Sequence, residues 1–505
     1  MLSRLSRLPL FLLFVGMSGV AMYVPAIYAA RLHDLHEARS FFYSGTLTIF
    51  VFGLIALAIS DTGRPPRAVD HLVALFLAFT CLPVILAVPF WEGLATTSFL
   101  NAYFEMVSCF TTTGATLYDN PGRLSGSLHL WRGMVAWLGG AMMWIAAAAV
   151  FSPLSLGGFE VTARPDPGYD ESQQGQSAVV DSMRRWQRGA MALIPVYAGL
   201  TLALWVMLIV MGEETLTGLM HAMAVLSTSG ISSVGGVTAA KSGIGGELVL
   251  LLFMLFALSR VTFSADTGAV RRDSLFQDHE FRIGLLIILA VPGFLFLRHW
   301  LGAFEFDDLQ NLDVALRAAW GSVFTVLSFL TTTGFESAEW ETARNWSGLS
   351  TPGMILMGLA IVGGGVATTA GGVKLLRVYV LYRQGLGEMQ RLVHPSMIVG
   401  RRSDSRRIRR KGAQIAWVFF MLFAMSLALI TISLAAAGVG FEDALTLAIA
   451  TLTTTGPLAT VASETPVQIA AFGSGVKLIL AGAMILGRLE TLVIIALLSP
   501  ELWHK

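Results

Sequence analysis

Long runs of apolar residues separated by short polar joints dominate the chain. A run of about 20 apolar residues can cross the hydrocarbon layer of a bilayer as a helix. The pattern predicts spanning helices at residues 8–30, 44–60, 71–89, 128–151, 189–211, 247–261, 282–301, 352–382, 413–438 and 476–499. Shorter apolar stretches lie between them, at residues 94–110, 216–226, 314–330 and 444–452. We expect most of these short stretches to be re-entrant or buried, and the spanning status of 314–330 stays open.

Composition supports a polytopic membrane protein. Of the 505 residues, 55% are hydrophobic and only 13% are charged, whereas about 25% are charged in an average soluble protein. This excludes a cytosolic enzyme, a secreted disulfide scaffold and a disordered hub. Basic and acidic residues balance to a net charge of +1, so there is no bulk charge to attract nucleic acid. Cys81 and Cys109 have no metal-ligand spacing.

The N-terminal run has two interpretations. Arg4 and Arg7 precede an uncharged stretch that a signal peptide would also show. The stretch is longer than a signal-peptide core, so we predict a retained first transmembrane helix.

The distribution of basic residues predicts the orientation. The joints at residues 160–188, 260–282 and 383–411 are rich in arginine, whereas the joints on the other side have very few basic residues. Positive-inside bias predicts a cytoplasmic N-terminus, and each short stretch then enters from the outer face.

One pattern recurs four times, as an apolar residue, three Ser or Thr residues, and Gly. We call these the Thr-Gly segments 1 to 4, at residues 111–114, 227–230, 331–334 and 453–456. Each segment ends a short apolar stretch and precedes a long one. The predicted fold is therefore all-α, with four pseudo-symmetric helix–pore-loop–helix repeats around a central ion pore. Two extra helices occupy residues 1–67, and the repeats occupy residues 68–160, 161–270, 271–411 and 412–505.

The segments have the chemistry of an ion filter. A cation that crosses a bilayer must exchange its water for other oxygens, which backbone carbonyls can supply. Glycine reaches backbone angles that turn carbonyls toward an axis, and we expect the Ser and Thr residues before it to be extended. A single copy is more typical of a helix C-cap, but four matched copies favour a filter. The predicted cation ligands are Thr112, Thr113, Gly114, Thr228, Ser229, Gly230, Thr332, Thr333, Gly334, Thr454, Thr455 and Gly456.

At these residues the chain resembles the TrkH type of the Trk/Ktr/HKT superfamily of potassium transporters. The likeness covers nearly the whole chain, and it is carried by residues 103–116, 131–132, 137–140, 331–335, 455–457 and 487–490. It implies potassium uptake across the bacterial cytoplasmic membrane, with K⁺ as the transported ion. It also implies a homodimer and a cytoplasmic nucleotide-binding gating ring of the TrkA or KtrA type. Cys109, Ile231 and the absence of Asn before Thr455 depart from the family pattern, whereas Gly114 argues for potassium over sodium.

A glycine-rich stretch interrupts the long apolar run at 352–382. Its predicted gating residues are Gly363, Gly364, Gly365, Thr368, Thr369, Gly371 and Gly372. Glycines and β-branched residues should break a helix here. By resemblance this is an intramembrane gating loop, and the alternative is close helix packing through small residues. A phosphate loop is excluded because Lys374 is followed by Leu375 rather than Ser or Thr.

Buried charges give further candidates. Arg488 lies within an apolar helix, where a charge must face a partner or a wet cavity. We expect it to tune ion passage near the gate; Glu490, two residues away, is on another helix face. Lys374 has either a similar role or snorkels to the cytoplasm. Glu105 either lowers the potential at the outer mouth or bonds a neighbouring repeat, and the basic cluster 401–411 contacts anionic lipid or a gating subunit.

Two other classes of function compete with the pore. A secondary transporter with broken helices usually has two repeats, which four filter-like repeats disfavour. An intramembrane enzyme is also disfavoured, because His36-Glu37 is not completed by a second histidine and no nucleophile elbow is present. We therefore predict a transporter and not an enzyme. The sequence leaves open whether transport is passive or coupled to H⁺ or Na⁺.

Overall fold

The computed structural model describes residues 8–59, 68–151, 182–259, 278–303, 312–348, 351–393, 410–463 and 465–490. The described elements are helices, in the order that the sequence repeat predicts. Before the repeats they are Leu10–Ala21, Tyr23–Arg31 and Leu35–Ile59. Repeat 1 has Ala68–Thr80, Leu82–Leu94, Phe99–Phe110 and Gly126–Ala146, and repeat 2 has Ser182–Val210, Thr215–Ser227 and Gly243–Met254. Repeat 3 has His279–Ala303, Leu312–Leu330, Trp340–Ser347, Gly353–Val362 and Leu375–Val393, and repeat 4 has Arg410–Ala436, Phe441–Leu452, Leu458–Val461 and Ser474–Leu489.

Within the described residues, eight helices are long and apolar enough to cross a membrane. They include Asp313–Leu330, whose status the sequence left open. The helix predicted at 44–60 in fact begins at Leu35. Glu37 in its first turn is buried, and its carboxylate accepts a hydrogen bond from Ser125 Oγ at 2.6 Å and another from Ser127 Oγ. The helix predicted at 476–499 ends at Leu489, and residues 491–505 lie outside the described part of the chain.

The helices that end at the Thr-Gly segments form the centre of the molecule, and we call them pore helices 1 to 4. They are Phe99–Phe110, Thr215–Ser227, Leu312–Leu330 and Phe441–Leu452. The long helix after each segment is the second helix of its repeat; these second helices begin at Gly126, Gly243, Gly353 and Ser474. Pore helix 2 packs on the second helix of repeat 1, pore helix 3 on that of repeat 2, and pore helix 4 on that of repeat 3. Pore helix 1 packs on the second helix of repeat 4, so the repeats form a closed ring.

Burial follows this arrangement. Pore-helix side chains such as Phe104, Met220 and Phe329 are almost fully buried. Side chains of the peripheral helices are exposed, as for Leu57 at 75% and Leu429 at 66%. An apolar exterior around a core that holds many buried hydroxyls is the inverse of a soluble protein and fits a protein surrounded by lipid.

Candidate functional site

All four Thr-Gly segments share one backbone turn. The second residue of each lies in the left-handed region, with φ of 55° at Thr112, 52° at Thr228, 57° at Thr332 and 54° at Thr454. The expectation of extended backbone at the Ser and Thr residues is therefore wrong at this position. A β-branched residue rarely adopts positive φ, and such strain is typical of functional sites.

The left-handed residue lets each segment cap its pore helix. The N–H of the third residue donates to the carbonyl five residues earlier, in the last turn of the pore helix. These bonds measure 2.9 Å for Thr113, 2.8 Å for Ser229, 2.9 Å for Thr333 and 2.8 Å for Thr455. The C-cap interpretation therefore does not exclude the filter interpretation, since a turn that caps the helix can also present the residues of a filter.

Hydroxyl groups divide into two sets. In each segment the first and third hydroxyls bond to each other, at 2.8 Å in segment 1, 2.9 Å in segment 2, 3.0 Å in segment 3 and 3.2 Å in segment 4. The buried hydroxyl oxygens of Thr112 and Thr454, at the second position, have no hydrogen-bond partner among the described residues. An unpaired buried oxygen is costly unless something binds to it.

The glycines bring the segments together around one axis. A Cβ at Gly114 would overlap the carbonyl oxygen of Ser229, and one at Gly230 would overlap that of Thr333. A Cβ at Gly334 would lie 2.8 Å from Cγ of Pro457 in segment 4's continuation. One at Gly456 would overlap the backbone of Ala115, which follows segment 1. Each segment therefore contacts the next, and the fourth contacts the first, in a continuous ring.

The second helix of repeat 3 is broken where the glycines predict. It stops at Val362 and resumes at Leu375. Gly363 and Gly372 have positive φ, of 73° and 76°. The ends of the intervening loop pair, because Lys374 N–H donates to the Val362 carbonyl at 2.9 Å. The two ends of the loop are thus joined by a hydrogen bond, so this is a defined loop rather than a flexible kink in one helix.

This loop lies directly against the Thr-Gly segments. Thr369 Oγ1 donates to the Leu226 carbonyl at 3.0 Å, at the end of pore helix 2. Gly371 N–H donates to Thr332 Oγ1 at 2.7 Å in segment 3. A Cβ at Gly371 would overlap the Thr453 carbonyl, so the loop also touches segment 4. The loop therefore contacts segments 3 and 4 and the end of pore helix 2.

Two buried cations hold the loop. Arg488 is 3% exposed, and its Nη1 donates to the Thr369 carbonyl at 2.6 Å. Its Nε and Nη2 have no hydrogen-bond partner among the described residues. Lys374 is also buried, and its Nζ donates to the Ala370 carbonyl. The snorkelling alternative for Lys374 is therefore wrong, since the ammonium points into the loop.

Sequence reasoning missed two charged residues around the loop. Arg377 Nη2 forms a buried ion pair with the Glu490 carboxylate at 2.8 Å and stacks on the Phe419 ring, 3.8 Å from its centroid. Glu490 thus pairs with Arg377 and not with Arg488, as expected because residues two apart lie on different faces of a helix. Glu280 accepts from Val366 N–H at 3.0 Å. The available signal was a charge within or beside an apolar run, the same signal that singled out Arg488.

Glu105 is a support of segment 1. It is fully buried, forms an ion pair with Arg132 at 2.7 Å, and accepts from Leu117 N–H at 3.1 Å. These partners belong to its own repeat, so the expected bond to a neighbouring repeat is not found among the described residues, and the role at the outer mouth stays a prediction. Residues 401–409 of the basic cluster lie outside the described residues.

Comparison with known proteins places the chain in a family. The TrkH family model, described as a cation transport protein, matches residues 37–505. The chain is 29% identical to the Trk system potassium uptake protein TrkH of Halomonas elongata, over 95% of this chain and 96% of that one. It is 26% identical to the protein of the same name from Escherichia coli K12, over 98% of both.

The fold has an experimental counterpart. The crystal structure of the potassium transporter TrkH from Vibrio parahaemolyticus superposes with a TM-score of 0.80, at 23% identity over the full length of both chains. The predicted all-α fold of pseudo-symmetric repeats is confirmed. With the family model spanning nearly all of the sequence, this chain belongs to the TrkH family of cation transport proteins.

Proposed function

We propose that this chain is the pore-forming subunit of a Trk-type potassium uptake system. The observation that carries the proposal is the continuous ring of four Thr-Gly segments, each with a left-handed second residue. Relatives that cover almost the whole chain are named potassium uptake proteins. No chemistry on a substrate is needed, so the function is transport rather than catalysis.

The ring provides oxygens at the axis. The carbonyls of Ser229 and Thr333 border the neighbouring glycines, and the unpaired hydroxyl oxygens of Thr112 and Thr454 are available to a cation. These groups replace the water that K⁺ loses on entry. Each pore helix ends at the ring with its C-terminus, so its dipole adds a partial negative charge that favours a cation.

The glycine-rich loop 363–372 is the gate in this proposal. It lies across one end of the ring and is held there by hydrogen bonds to segment 3 and pore helix 2. Arg488 adds a positive charge at the same place, which repels a permeating cation as well as fixing the loop. Opening then requires that the loop leave the segments.

We further propose the assembly and location that the family resemblance implies. The protein is a homodimer in the bacterial inner membrane, with a cytoplasmic N-terminus and a nucleotide-binding partner of the TrkA or KtrA type. The arginine-rich joints support this orientation by the positive-inside rule. The basic cluster 401–411 faces anionic lipid or that partner on the cytoplasmic side.

The test is ⁸⁶Rb⁺ uptake into proteoliposomes, with excess K⁺ or Na⁺ as competitor. The wild type should show uptake that K⁺ blocks more strongly than Na⁺. Gly114→Ser should lose this preference, because Gly114 has φ of 74° and its Cβ would overlap the Ser229 carbonyl. Gly482→Ser is the matched control, since a Cβ there meets nothing within 4 Å.

Three results would contradict the proposal in different ways. An absence of Rb⁺ uptake, with or without a nucleotide-binding partner, would refute an ion pore. Uptake that organic solutes inhibit would favour the secondary transporter. Uptake unaffected by Gly114→Ser would place the ion pathway outside the ring of segments.

A further inference from the structure

A second buried carboxylate links two repeats beside segment 3. Glu247 lies near the start of the second helix of repeat 2 and is fully buried. Its Oε2 accepts from Ser337 Oγ and from Trp320 Nε1, each at 2.7 Å, and its Oε1 accepts from Ala338 N–H at 2.6 Å. All three donors belong to repeat 3. A fully buried carboxylate is costly, and these bonds are what stabilise it there.

Two of these hydrogen bonds hold the residues that directly follow segment 3. Ser337 and Ala338 follow Gly334 by only three and four residues. In repeat 1 the same stretch is held by Glu105, through Thr116 Oγ1 and Leu117 N–H. Repeats 1 and 3 occupy opposite positions in the ring, so carboxylates support the ring on two opposite sides.

The two carboxylates differ in origin and in charge balance. Glu105 comes from its own pore helix and is neutralised by Arg132. In pore helix 3 the equivalent residue is Thr325, whose Oγ1 accepts a longer bond, of 3.3 Å, from Ser337 N–H. Glu247 supplies the stronger support from the neighbouring repeat and, in the part of the chain that the structure describes, has no Lys or Arg within 4 Å.

We propose that Glu247 is a positioning residue that fixes segment 3 and so sets the cation preference of the ring. This inference rests on the proposed filter function. Discrimination between cations depends on the number and placement of coordinating oxygens. The Thr333 carbonyl lies against Gly230, so a shift of segment 3 changes its contact with segment 2. Since none of the described Lys or Arg residues pairs with Glu247, its negative charge beside the chain that follows segment 3 also favours cation entry.

The carboxylate cannot be replaced by an amide. Glu247 receives donors at both oxygens, two at Oε2 and one at Oε1. In Glu247→Gln the NH₂ group would face at least one of these donors and lose that bond. The matched control is Glu213→Gln. Glu213 is also buried and accepts from Ser242 Oγ at 2.7 Å, but Ser242 is far along the chain from Gly230.

The experiment measures the ratio of ⁸⁶Rb⁺ to ²²Na⁺ uptake in proteoliposomes, together with thermal stability in detergent. Glu247→Gln should lower the ratio about three- to tenfold, the effect expected when one charge-assisted hydrogen bond is lost. Glu213→Gln should keep the ratio within about twofold of the wild type, whatever it does to stability. Ser337→Ala, which removes one bond and keeps the charge, should lower the ratio less than Glu247→Gln.

Failure of this inference and failure of the filter proposal give different results. A wild type that shows no preference for Rb⁺ refutes the filter itself. A selective wild type with equal ratios in Glu247→Gln and Glu213→Gln refutes the role of Glu247, because a purely structural residue changes stability without changing selectivity. If Glu247→Gln does not fold, Ser337→Ala decides: a lowered ratio supports the inference, and an unchanged ratio overturns it.

Discussion

Repeats 1 and 4 carry the same Thr-Thr-Thr-Gly sequence, yet they use it differently. Gly114 has φ of 74°, whereas Gly456 does not have a positive φ. Gly456 N–H donates instead to the Thr113 carbonyl at 2.6 Å, which joins segment 4 directly to segment 1. The shared part is the left-handed second Thr and the helix cap. The glycine that follows is conformationally required in repeat 1 and sterically required in both.

The supports behind the two segments also differ. Six residues before the first Thr, repeat 1 has Glu105 and repeat 4 has Leu447. The carboxylate of Glu105 holds the chain after segment 1, whereas Pro457 after segment 4 begins the short helix Leu458–Val461. The Thr-Thr-Thr-Gly motif therefore determines the local turn, but the contacts that hold the chain after the turn differ between repeats. Repeat 1 relies on a buried charge pair, and repeat 4 relies on local backbone structure.

The second helices show a matching contrast. Gly139 in repeat 1 and Gly487 in repeat 4 each lie where a Cβ would overlap the last carbonyl of the pore helix, at Phe110 and Leu452 respectively. The next residue is Gly140 in repeat 1, and in repeat 4 it is Arg488, which reaches the glycine-rich loop. At this equivalent position, Gly140 thus allows close helix packing in repeat 1, whereas Arg488 holds the proposed gate in repeat 4.

The largest effect is expected from Arg132→Met. It would leave Glu105 buried without its counter-charge, which costs about 3–5 kcal/mol. We expect a large loss of folded protein and of apparent Tm, measured by thermal denaturation of the purified protein in detergent.

The double variant Glu105→Gln with Arg132→Met should recover part of this loss, because no buried charge remains and Gln can still accept from Leu117 N–H. Recovery would show that repeat 1, like repeat 4, can be supported without charge. An Arg132→Met protein as stable as the wild type would instead show that the pair contributes little.

The next largest effect is expected at Arg488, where the second helix of repeat 4 differs from that of repeat 1. Arg488→Ala removes the bond to the Thr369 carbonyl and a positive charge beside the ring. We expect a severalfold faster ⁸⁶Rb⁺ uptake, since the loss of about one charged hydrogen bond corresponds to roughly a tenfold shift in a loop equilibrium.

Lys477→Ala is the control for Arg488→Ala. It removes a cation from the same helix, but Lys477 Nζ contacts Asn101 and Ala470 rather than the loop. Its uptake should match the wild type. Uptake that is equal in Arg488→Ala and Lys477→Ala would argue against a gating role for the arginine.

Sequence reasoning recovered what periodicity and repetition encode. The repeated pattern located the four segments, and the glycines located the break between Val362 and Leu375. It failed where the outcome depends on which repeats touch. In the sequence, Glu247 looks like a polar residue at the start of an ordinary apolar helix. Its hydrogen-bond donors belong to repeat 3, and only the packing of repeat 2 on repeat 3 brings them to it. Left-handed Thr residues were also missed, because backbone propensity is overridden by the cap that the helix end needs.

A smaller effect should come from Pro457, which repeat 1 replaces with Ala115. The Pro457 ring packs on Gly334 and lies close to Gly230. Pro457→Gly should cost about 1 kcal/mol through unfolded-chain entropy and should also lower the Rb⁺ to Na⁺ uptake ratio. Pro121→Gly, in the loop after segment 1, controls for the entropy effect and should leave the ratio unchanged. A ratio that falls equally in both variants would deny Pro457 a specific contact role.

The smallest effect extends the comparison to the second residue after each glycine. This residue is Thr116 in repeat 1 and Leu458 in repeat 4, whereas repeat 3 has Glu336. Burial raises the pKa of Glu336 to about 7, with Arg344 opposing the shift and Glu341 reinforcing it.

Because the pKa of Glu336 is higher in the folded state, that state retains the proton across a window from the ordinary value of 4.5 to about 7. Folding stability therefore falls as pH rises through this window, and the penalty is complete above it. Glu336→Gln should match the wild type near the lower end and gain on the order of 2 °C in apparent Tm by the upper end. Thermal scans of both proteins at several pH values measure this. A Tm difference that stays constant across the window would show that the carboxyl of Glu336 is solvated, and that the chain after segment 3 is as insensitive to protons as its counterparts in repeats 1 and 4.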